Sequence, residues 1–129
     1  MTIEWKTSTN TVPYEKALSF MENRVDGIIR GEQNELIWAL EHPPIYTSGT
    51  SSKKEDLLNP KNLPVYEAKR GGQYTYHGPG QRVIYVMLNL NKRGRDLRKF
   101  VKNLENWIIY TLSDFEIEGF TRHDRIGVW

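Results

Sequence analysis

The sequence predicts one domain, residues 1–129, of the α/β or α+β class, with a mixed sheet and flanking helices. Two amphipathic helical segments, near residues 12–30 and 97–112, are separated by short strand-like runs. The connections between these runs are long, which is typical of sheets that mix strand directions. The length lies within the roughly 100–200 residues of one domain, and a hydrophobic content of 38% suits a closed core.

The first predicted helix covers residues 12–30. Its apolar side chains recur at intervals of three and four between Tyr14 and Ile29, which places them on one face. Thr11 is predicted to cap the start of this helix, and Pro13 suits its first turn because proline is preorganised for that position. Gly31 is predicted to end it.

Short apolar runs predict the strands of the sheet. Leu36–Leu40 is nearly continuous and predicts a strand buried on both faces. Pro43-Pro44 ends it, because neither residue can donate to a ladder. A polar loop over Thr47–Glu55 and one helical turn at Asp56–Leu58 are expected next. Further strands are predicted at Pro64–Ala68, Val83–Leu90, Phe115–Glu118 and Ile126–Trp129.

The second predicted helix presents an apolar face between Leu97 and Leu112, with Asp96 as its N-terminal cap. The apolar run at Ile126–Trp129 stops at the last residue of the chain, whereas natural domains seldom end on an unfinished strand. We therefore expect a chain truncated after Trp129, with an exposed strand edge that favours self-association.

Composition excludes several classes of protein. Without cysteine, these residues can hold no disulfide, no thiolate metal site and no cysteine nucleophile. A net charge of +2 is too small to indicate a nucleic-acid partner. No apolar run approaches the ~20 residues that span a bilayer, and the first twenty residues lack a signal-peptide core. We expect a cytoplasmic protein with neither a nucleic-acid nor a membrane partner.

The segment 70–81 contains four glycines, a proline, two tyrosines and a histidine. Gly71-Gly72 lets the backbone lie directly against a ligand. Tyr74 and Tyr76 alternate, so both rings are expected to line one wall of a slot, and His77 adds a donor or acceptor. The alternative, which composition by itself favours, is a glycine-rich hairpin turn with aromatic core residues.

Other site types lack their signatures. Gly71-Gly72 is followed by no Lys-Ser or Lys-Thr pair and precedes a strand, which argues against a phosphate-binding P-loop. His42, His77 and His123 share no metal-binding spacing, so no metal site is predicted. No G-x-S-x-G motif marks a serine hydrolase.

Residues 41–49, EHPPIYTSG, and residues 70–81, RGGQYTYHGPGQ, together resemble the octanoyltransferases of lipoate biosynthesis, also called lipoate–protein ligase B. The resemblance extends from the first helix through Gly127-Val128-Trp129. It implies the fold of the biotin/lipoyl protein ligases, and it identifies this chain as the N-terminal, pocket-forming part of the family's domain.

The resemblance also implies an activity. Family members move an octanoyl group from acyl carrier protein to a lysine of lipoyl domains, in 2-oxoacid dehydrogenases and the glycine cleavage protein, through a cysteine thioester and without ATP or another cofactor. The family's catalytic cysteine and lysine lie beyond this chain, so none of its residues is expected to be catalytic. Substrate binding is expected at Arg70, Gly71, Gly72, Gln73, Tyr74, Thr75, Tyr76 and His77.

Alternatives remain open for single residues and for the whole chain. Arg70 suits a salt-bridged structural role as well as a pocket, and His42 suits loop bracing better than ligand contact. Rival functions are a non-catalytic acyl- or carrier-binding protein and an ATP-dependent lipoate or biotin ligase, although those ligases carry a longer glycine run. A basic patch would suit an acidic acyl carrier protein or be a solvated helix face; it comprises Lys92, Arg93, Arg95, Arg98, Lys99 and Lys102.

Overall fold

A computed structural model describes residues 2–129, which form two compact units that meet in sequence at Leu88 and Asn89. The first unit holds two three-stranded sheets and one helix, and the second holds one long helix. The two mixed sheets and the two helices confirm the predicted fold class. The elements are β1 (Glu4–Thr7), α1 (Tyr14–Ile29), β2 (Leu36–Leu40), β3 (Ile45–Ser48), β4 (Val65–Glu67), β5 (Thr75–His77), β6 (Val83–Met87) and α2 (Leu97–Ser113).

The first sheet has the strand order β1-β2-β6, with β1 parallel and β6 antiparallel to the central strand. Strand β2 matches its predicted bounds, and four of its five residues are buried. Its register places Leu36 opposite Met87 and Trp38 opposite Tyr85, so these side chains share one face. Helix α1 covers that face, and the resulting core comprises Ala17, Ile28, Leu36, Trp38, Leu40 and Met87.

The second sheet has the order β4-β3-β5, with β4 parallel and β5 antiparallel to β3. Neither β3 nor β5 is expected from the sequence, and the polar loop expected from Thr47 is wrong for its first two residues. Ile45 and Thr47 are both buried. Because these strands have only four and three residues, pairing between distant segments stabilises them, and local composition gives little sign of it.

The start of α1 differs from the prediction, whereas its end agrees. Pro13 occupies the N-cap position and no side chain caps the helix, so the predicted Thr11 cap is wrong. Gly31 follows the helix with φ +74°, a left-handed conformation that glycine adopts without strain. Its N–H donates to the carbonyl of Ile28 at 3.1 Å and closes the last turn.

In the second unit, α2 begins as predicted, because the carboxylate of Asp96 accepts a hydrogen bond from the Lys99 N–H at 3.0 Å. The strand predicted at Phe115–Glu118 is wrong. The chain turns there instead, with Glu116 at φ +59°, which an extended strand cannot accommodate.

The strand predicted at Ile126–Trp129 is also wrong, since these residues join neither sheet of the described chain. Gly127 has φ +133° and interrupts the extended run. Trp129 and Phe120 nevertheless exchange two backbone hydrogen bonds, of 2.9 and 3.0 Å, which close the C-terminal segment into a loop. Over residues 2–129, neither helix has the length and apolar character needed to cross a bilayer.

Candidate functional site

Arg70 fastens the glycine loop, residues 70–73, to the second sheet. Its Nη1 donates to the carbonyl oxygens of Gly71 at 3.0 Å and Gln73 at 3.1 Å. Its Nη2 lies 2.7 Å from Thr47 Oγ1, 3.2 Å from the Thr47 carbonyl oxygen and 3.1 Å from Thr75 Oγ1. These acceptors are neutral oxygens, so Arg70 orders the loop through hydrogen bonds. The salt-bridged structural role that the sequence left open for Arg70 is therefore not the arrangement found here.

The segment after β3 lies directly against the glycine loop. The Gly49 N–H donates to the carbonyl of Gln73 at 3.2 Å, and the Ser51 N–H donates to the carbonyl of Gly72 at 2.9 Å. A Cβ atom on Gly49 would overlap the carbonyl oxygen of Gly72, so only glycine allows this approach. Gly72 itself has φ +88°, which explains why the loop needs a glycine there.

The register of β5 separates the expected site residues between two faces of the second sheet. Thr75 is opposite Thr47, whereas Tyr76 is opposite Tyr46. Because directly opposed side chains share a face and neighbours along a strand alternate, Thr75 and His77 lie on one face and Tyr76 on the other. The rings of Tyr76 and Tyr46 stack edge to face with centroids 5.8 Å apart. His77 and Tyr76 therefore do not line the same wall.

His42 is fully buried and holds two elements together. Its Nδ1 lies 2.7 Å from the carbonyl oxygen of Val12, and its Nε2 lies 2.7 Å from the hydroxyl of Tyr85. A carbonyl only accepts, so Nδ1 carries the proton and Nε2 accepts from the Tyr85 hydroxyl. Burial lowers the pKa of His42 and raises the pKa of Tyr85 to about 12. His42 is thus a neutral bracing residue, as its sequence position suggested.

Edge-to-face and tilted rings lie around His42, and we name Tyr14, His42, Tyr66 and Tyr85 the aromatic cluster. His42 lies 5.4 Å from Tyr14, 5.8 Å from His77 and 5.8 Å from Tyr85 between ring centroids, and Tyr14 lies 5.2 Å from Tyr66. Burial raises the pKa of Tyr14, whereas the nearby positive charge of Arg70 acts in the opposite direction. Arg70 also bonds Thr75, which shares a face with His77 beside His42, so the glycine loop and the aromatic cluster are neighbours.

The sequence does not mark Tyr14, Tyr66 or Tyr85 as site residues. Tyr14 belongs to the apolar face predicted for the first helix, and Tyr66 and Tyr85 fall within predicted strands. One chemical feature of these residues does indicate a polar contact, because a tyrosine on a buried face needs a hydrogen-bond partner for its hydroxyl.

His77 is held by the turn that follows β5. Its Nδ1 lies 2.8 Å from Oε1 of Gln81, whose Nε2 donates to the Tyr76 carbonyl at 3.2 Å. The amide oxygen of Gln81 therefore accepts the hydrogen bond from Nδ1 of His77. The carboxylate of Glu41 accepts the Gly80 N–H and fixes the same turn.

The site thus combines apolar rings with a few fixed polar atoms. Arg70, Thr75 and His77 supply donors and an acceptor beside the aromatic cluster. Within residues 2–129, no three histidine or carboxylate side chains are grouped as a metal site would require. The arrangement can hold an apolar chain against rings and orient a polar group at one end.

Comparison with known proteins gives matches along almost the whole chain. Residues 13–129 match the family model of the lipoyl protein ligase A/B catalytic domain. Octanoyltransferases from Maricaulis maris (strain MCS10), Jannaschia sp. (strain CCS1) and Bartonella henselae are 58%, 56% and 54% identical over 127 residues. Each match covers 98% of this chain but 56%, 59% and 52% of the respective relative. The chain therefore spans about half the length of these curated relatives.

One solved structure agrees in fold. A proposed lipoate protein ligase from T. acidophilum superimposes with a TM-score of 0.62 at 12% identity, over 96% of this chain and 53% of that one. At this identity the likeness concerns the fold alone. Together, the matches confirm the resemblance to the octanoyltransferases and the fold that it implied.

Proposed function

Because this chain belongs to the lipoyl protein ligase A/B catalytic domain family, we propose that it forms the acyl-binding part of an octanoyltransferase. Such an enzyme moves an octanoyl group from the thioester of acyl carrier protein to a lysine amine of a lipoyl domain. The observation that carries the proposal is the glycine loop, which Arg70 orders beside the aromatic cluster. A medium-length acyl thioester needs apolar walls and a few polar groups at its reacting end.

The proposed roles follow from the contacts. The glycine loop offers backbone without side chains, so an acyl thioester can approach it closely. Thr75 and His77 provide polar atoms on the same face as the rings of the aromatic cluster. Tyr76 lies on the opposite face, where its ring and hydroxyl lie close to Gly78 at the start of the following turn. Substrate binding is proposed for Arg70, Gly71, Gly72, Gln73, Tyr74, Thr75, Tyr76 and His77.

The covalent steps require groups that this chain lacks. A cysteine thiolate would attack the octanoyl thioester, form an enzyme thioester and release the carrier thiol. The lysine amine of a lipoyl domain would then attack, form an amide and release the cysteine thiol. With no cysteine in these 129 residues, we propose that the thiol and the lysine that activates it come from residues outside them. The proposed partners are octanoyl acyl carrier protein and the lipoyl domains of cytoplasmic 2-oxoacid dehydrogenases and glycine cleavage protein.

The test is a titration of the isotopically labelled chain with octanoyl-pantetheine, followed by amide chemical shifts. We expect saturable shifts in the glycine loop and around His42 and Tyr85, with pantetheine alone giving none that saturate. Shifts confined to other segments, or no binding, would refute the proposal. Incubation with octanoyl carrier protein and an apo lipoyl domain should give no octanoylated product, because the chain lacks the nucleophile.

Two other functions lead to different measurements. A non-catalytic acyl- or carrier-binding protein is favoured by the missing cysteine. It would bind octanoyl-pantetheine and yet gain no transfer activity when mixed with the remaining half of a related octanoyltransferase. An ATP-dependent ligase would bind ATP, so an ATP titration that perturbs the glycine loop would favour that enzyme instead. Gly71-Gly72 stands without a longer glycine run, which supports the ATP-free reaction.

A further inference from the structure

The second unit contains a cavity that the proposed acyl site does not use. It has a volume of about 630 Å³ and lies between α2 and residues 121–126. Leu97, Val101 and Ile126 contribute apolar surface to its lining. Four cationic side chains also line it, against two carboxylates, and we name it the basic cavity; the cations are Arg98, Lys102, Arg122 and Arg125.

The C-terminal side of the basic cavity is held in place by several contacts. Glu105 on α2 accepts a hydrogen bond from the Gly127 N–H at 3.0 Å. The guanidinium carbons of Arg122 and Arg125 lie 5.0 and 5.5 Å from the ring centroid of Trp129. Trp129 is itself bonded through its backbone to Phe120. The two arginines therefore belong to an ordered surface, which lowers the entropic cost of binding there.

The positive charge of the basic cavity is only partly neutralised. Asp124 forms an ion pair with Arg125 at 3.1 Å, and Glu105 is engaged by the backbone. Arg98, Lys102 and Arg122 have no carboxylate within 4.0 Å among residues 2–129. Arg98 and Lys102 are four positions apart on α2, so their side chains point the same way.

These features favour one kind of ligand. A lone anion such as phosphate would leave the apolar lining of the cavity unused. A nucleic acid needs an extended basic track, whereas here the cations surround a concave apolar surface. An amphipathic helix with acidic residues four positions apart matches both the Arg98–Lys102 spacing and the apolar lining.

We propose that the basic cavity is the docking site for an acidic helix of the acyl-delivering carrier protein. This inference rests on the proposed function, because it takes the donor of the acyl group to be an acidic protein. It places the contact on a defined part of the basic patch, Arg98 and Lys102, and adds Arg122 from the C-terminal loop. The remaining cations of the patch, such as Lys92 and Lys99, do not line the cavity.

The test compares two double charge reversals with equal net charge. Arg98→Glu with Lys102→Glu alters the cavity, and Lys92→Glu with Lys99→Glu alters neighbouring cations outside it. Arg98 and Lys99 lie in the first turn of α2, where glutamate is favourable, and circular dichroism checks that both variants fold. Binding of octanoylated acyl carrier protein to the 129-residue chain is measured at about 50 and about 200 mM salt, which changes screening strongly.

We expect the cavity pair to weaken binding about tenfold or more, and the control pair by less than about threefold. The salt dependence of carrier-protein affinity should be smaller in the cavity variant than in the wild-type chain and should be unchanged in the control. Equal losses in both variants, or no carrier binding by the wild-type chain, would overturn the docking site. Cavity-dependent binding of a DNA duplex without carrier binding would also overturn it.

Octanoyl-pantetheine separates the two proposals. This small thioester lacks the carrier protein, so its affinity should be the same for the wild-type chain and both variants. If it fails to bind while carrier binding still depends on Arg98 and Lys102, the proposed function fails and the docking site is supported. If octanoyl-pantetheine binds normally and the carrier protein binds both variants as tightly as the wild-type chain, the docking site is refuted and the proposed function stands.

Discussion

Arg70 and Thr47 are joined twice, because Nη2 of the arginine lies 2.7 Å from the threonine hydroxyl and 3.2 Å from its carbonyl oxygen. Thr47 is only 1% exposed, so this contact anchors the glycine loop to a buried point of β3. The remaining bonds of the guanidinium reach the loop itself. The Arg70 side chain therefore orders the proposed binding surface together with the backbone bonds from Gly49 and Ser51.

Arg70→Lys should weaken octanoyl-pantetheine binding about tenfold, since one ammonium group cannot replace the donors of two guanidinium nitrogens. We also expect faster amide exchange in residues 70–73, measured by hydrogen–deuterium exchange. Lys69→Arg, a change at the exposed neighbour, is the matched control and should leave both quantities unchanged. Wild-type affinity and exchange in Arg70→Lys would contradict the anchoring role.

Gly49→Ala should lower the free energy of unfolding by about 1–3 kcal/mol, because the new methyl group would overlap the Gly72 carbonyl oxygen and separate the two segments. Gly71→Ala is the control, since a Cβ atom there meets no atom within 4 Å. Urea denaturation of both variants measures the difference. If the two alanine variants are equally stable, the close approach of the segments is not a constraint on the fold.

The elements that the sequence predicts correctly are those recognisable from residues close together in the chain. Helices α1 and α2 follow from periodic apolar residues, and Asp96 is a cap by its chemistry. Strand β5 was missed because Thr75–His77 is too short to show alternation and depends on pairing with β3. The run Phe115–Glu118 alternates in composition, yet the left-handed backbone at Glu116 makes a turn.

For the same reason, the sequence indicates only the local part of the candidate site, and its role in binding stays a prediction. The segment 70–77 could be singled out by its composition, but the face on which each residue lies depends on register, which composition does not carry. Tyr14 and Tyr85 lay on predicted apolar faces, so nothing local distinguished them from core residues. Their association with His42 arises from elements distant in sequence.

The buried His42 should make the protein less stable in mild acid. Its pKa is lowered by burial, so below about 6.5 the unfolded chain binds a proton that the folded chain does not. The free energy of unfolding should therefore decrease as pH falls below about 6.5, with a slope of at most about 1.4 kcal/mol per pH unit for one proton.

Urea denaturation between pH 5 and pH 7, about the range of histidine titration, measures this slope. His42→Gln should be less stable at neutral pH and should lose the part of the slope that His42 contributes. His123→Gln, at an exposed position, should retain the wild-type slope. A slope that survives in His42→Gln would assign the pH dependence to other groups.

The edge strand β1 should promote self-association. Trp5 is 69% exposed on this strand and shares a face with Ile84, which is 45% exposed on β6. An apolar patch at a sheet edge favours contact with a second copy. Light scattering over a concentration series should show a rising mean mass for the wild-type chain and a smaller rise for Trp5→Ser. Leu58→Ser, at an isolated exposed position, should behave as wild type.

The pairing of β5 with β3 has a consequence for how this segment could change its binding preference. A shift of one residue along β3 would turn His77 away from Arg70 and bring Tyr76 toward it, with no change in the amino-acid sequence. The strand therefore encodes two chemically distinct surfaces, one of imidazole and hydroxyl groups and one of phenol rings. The Gln81 and Glu41 contacts at the following turn fix this alignment and keep Thr75 and His77 on the side of Arg70.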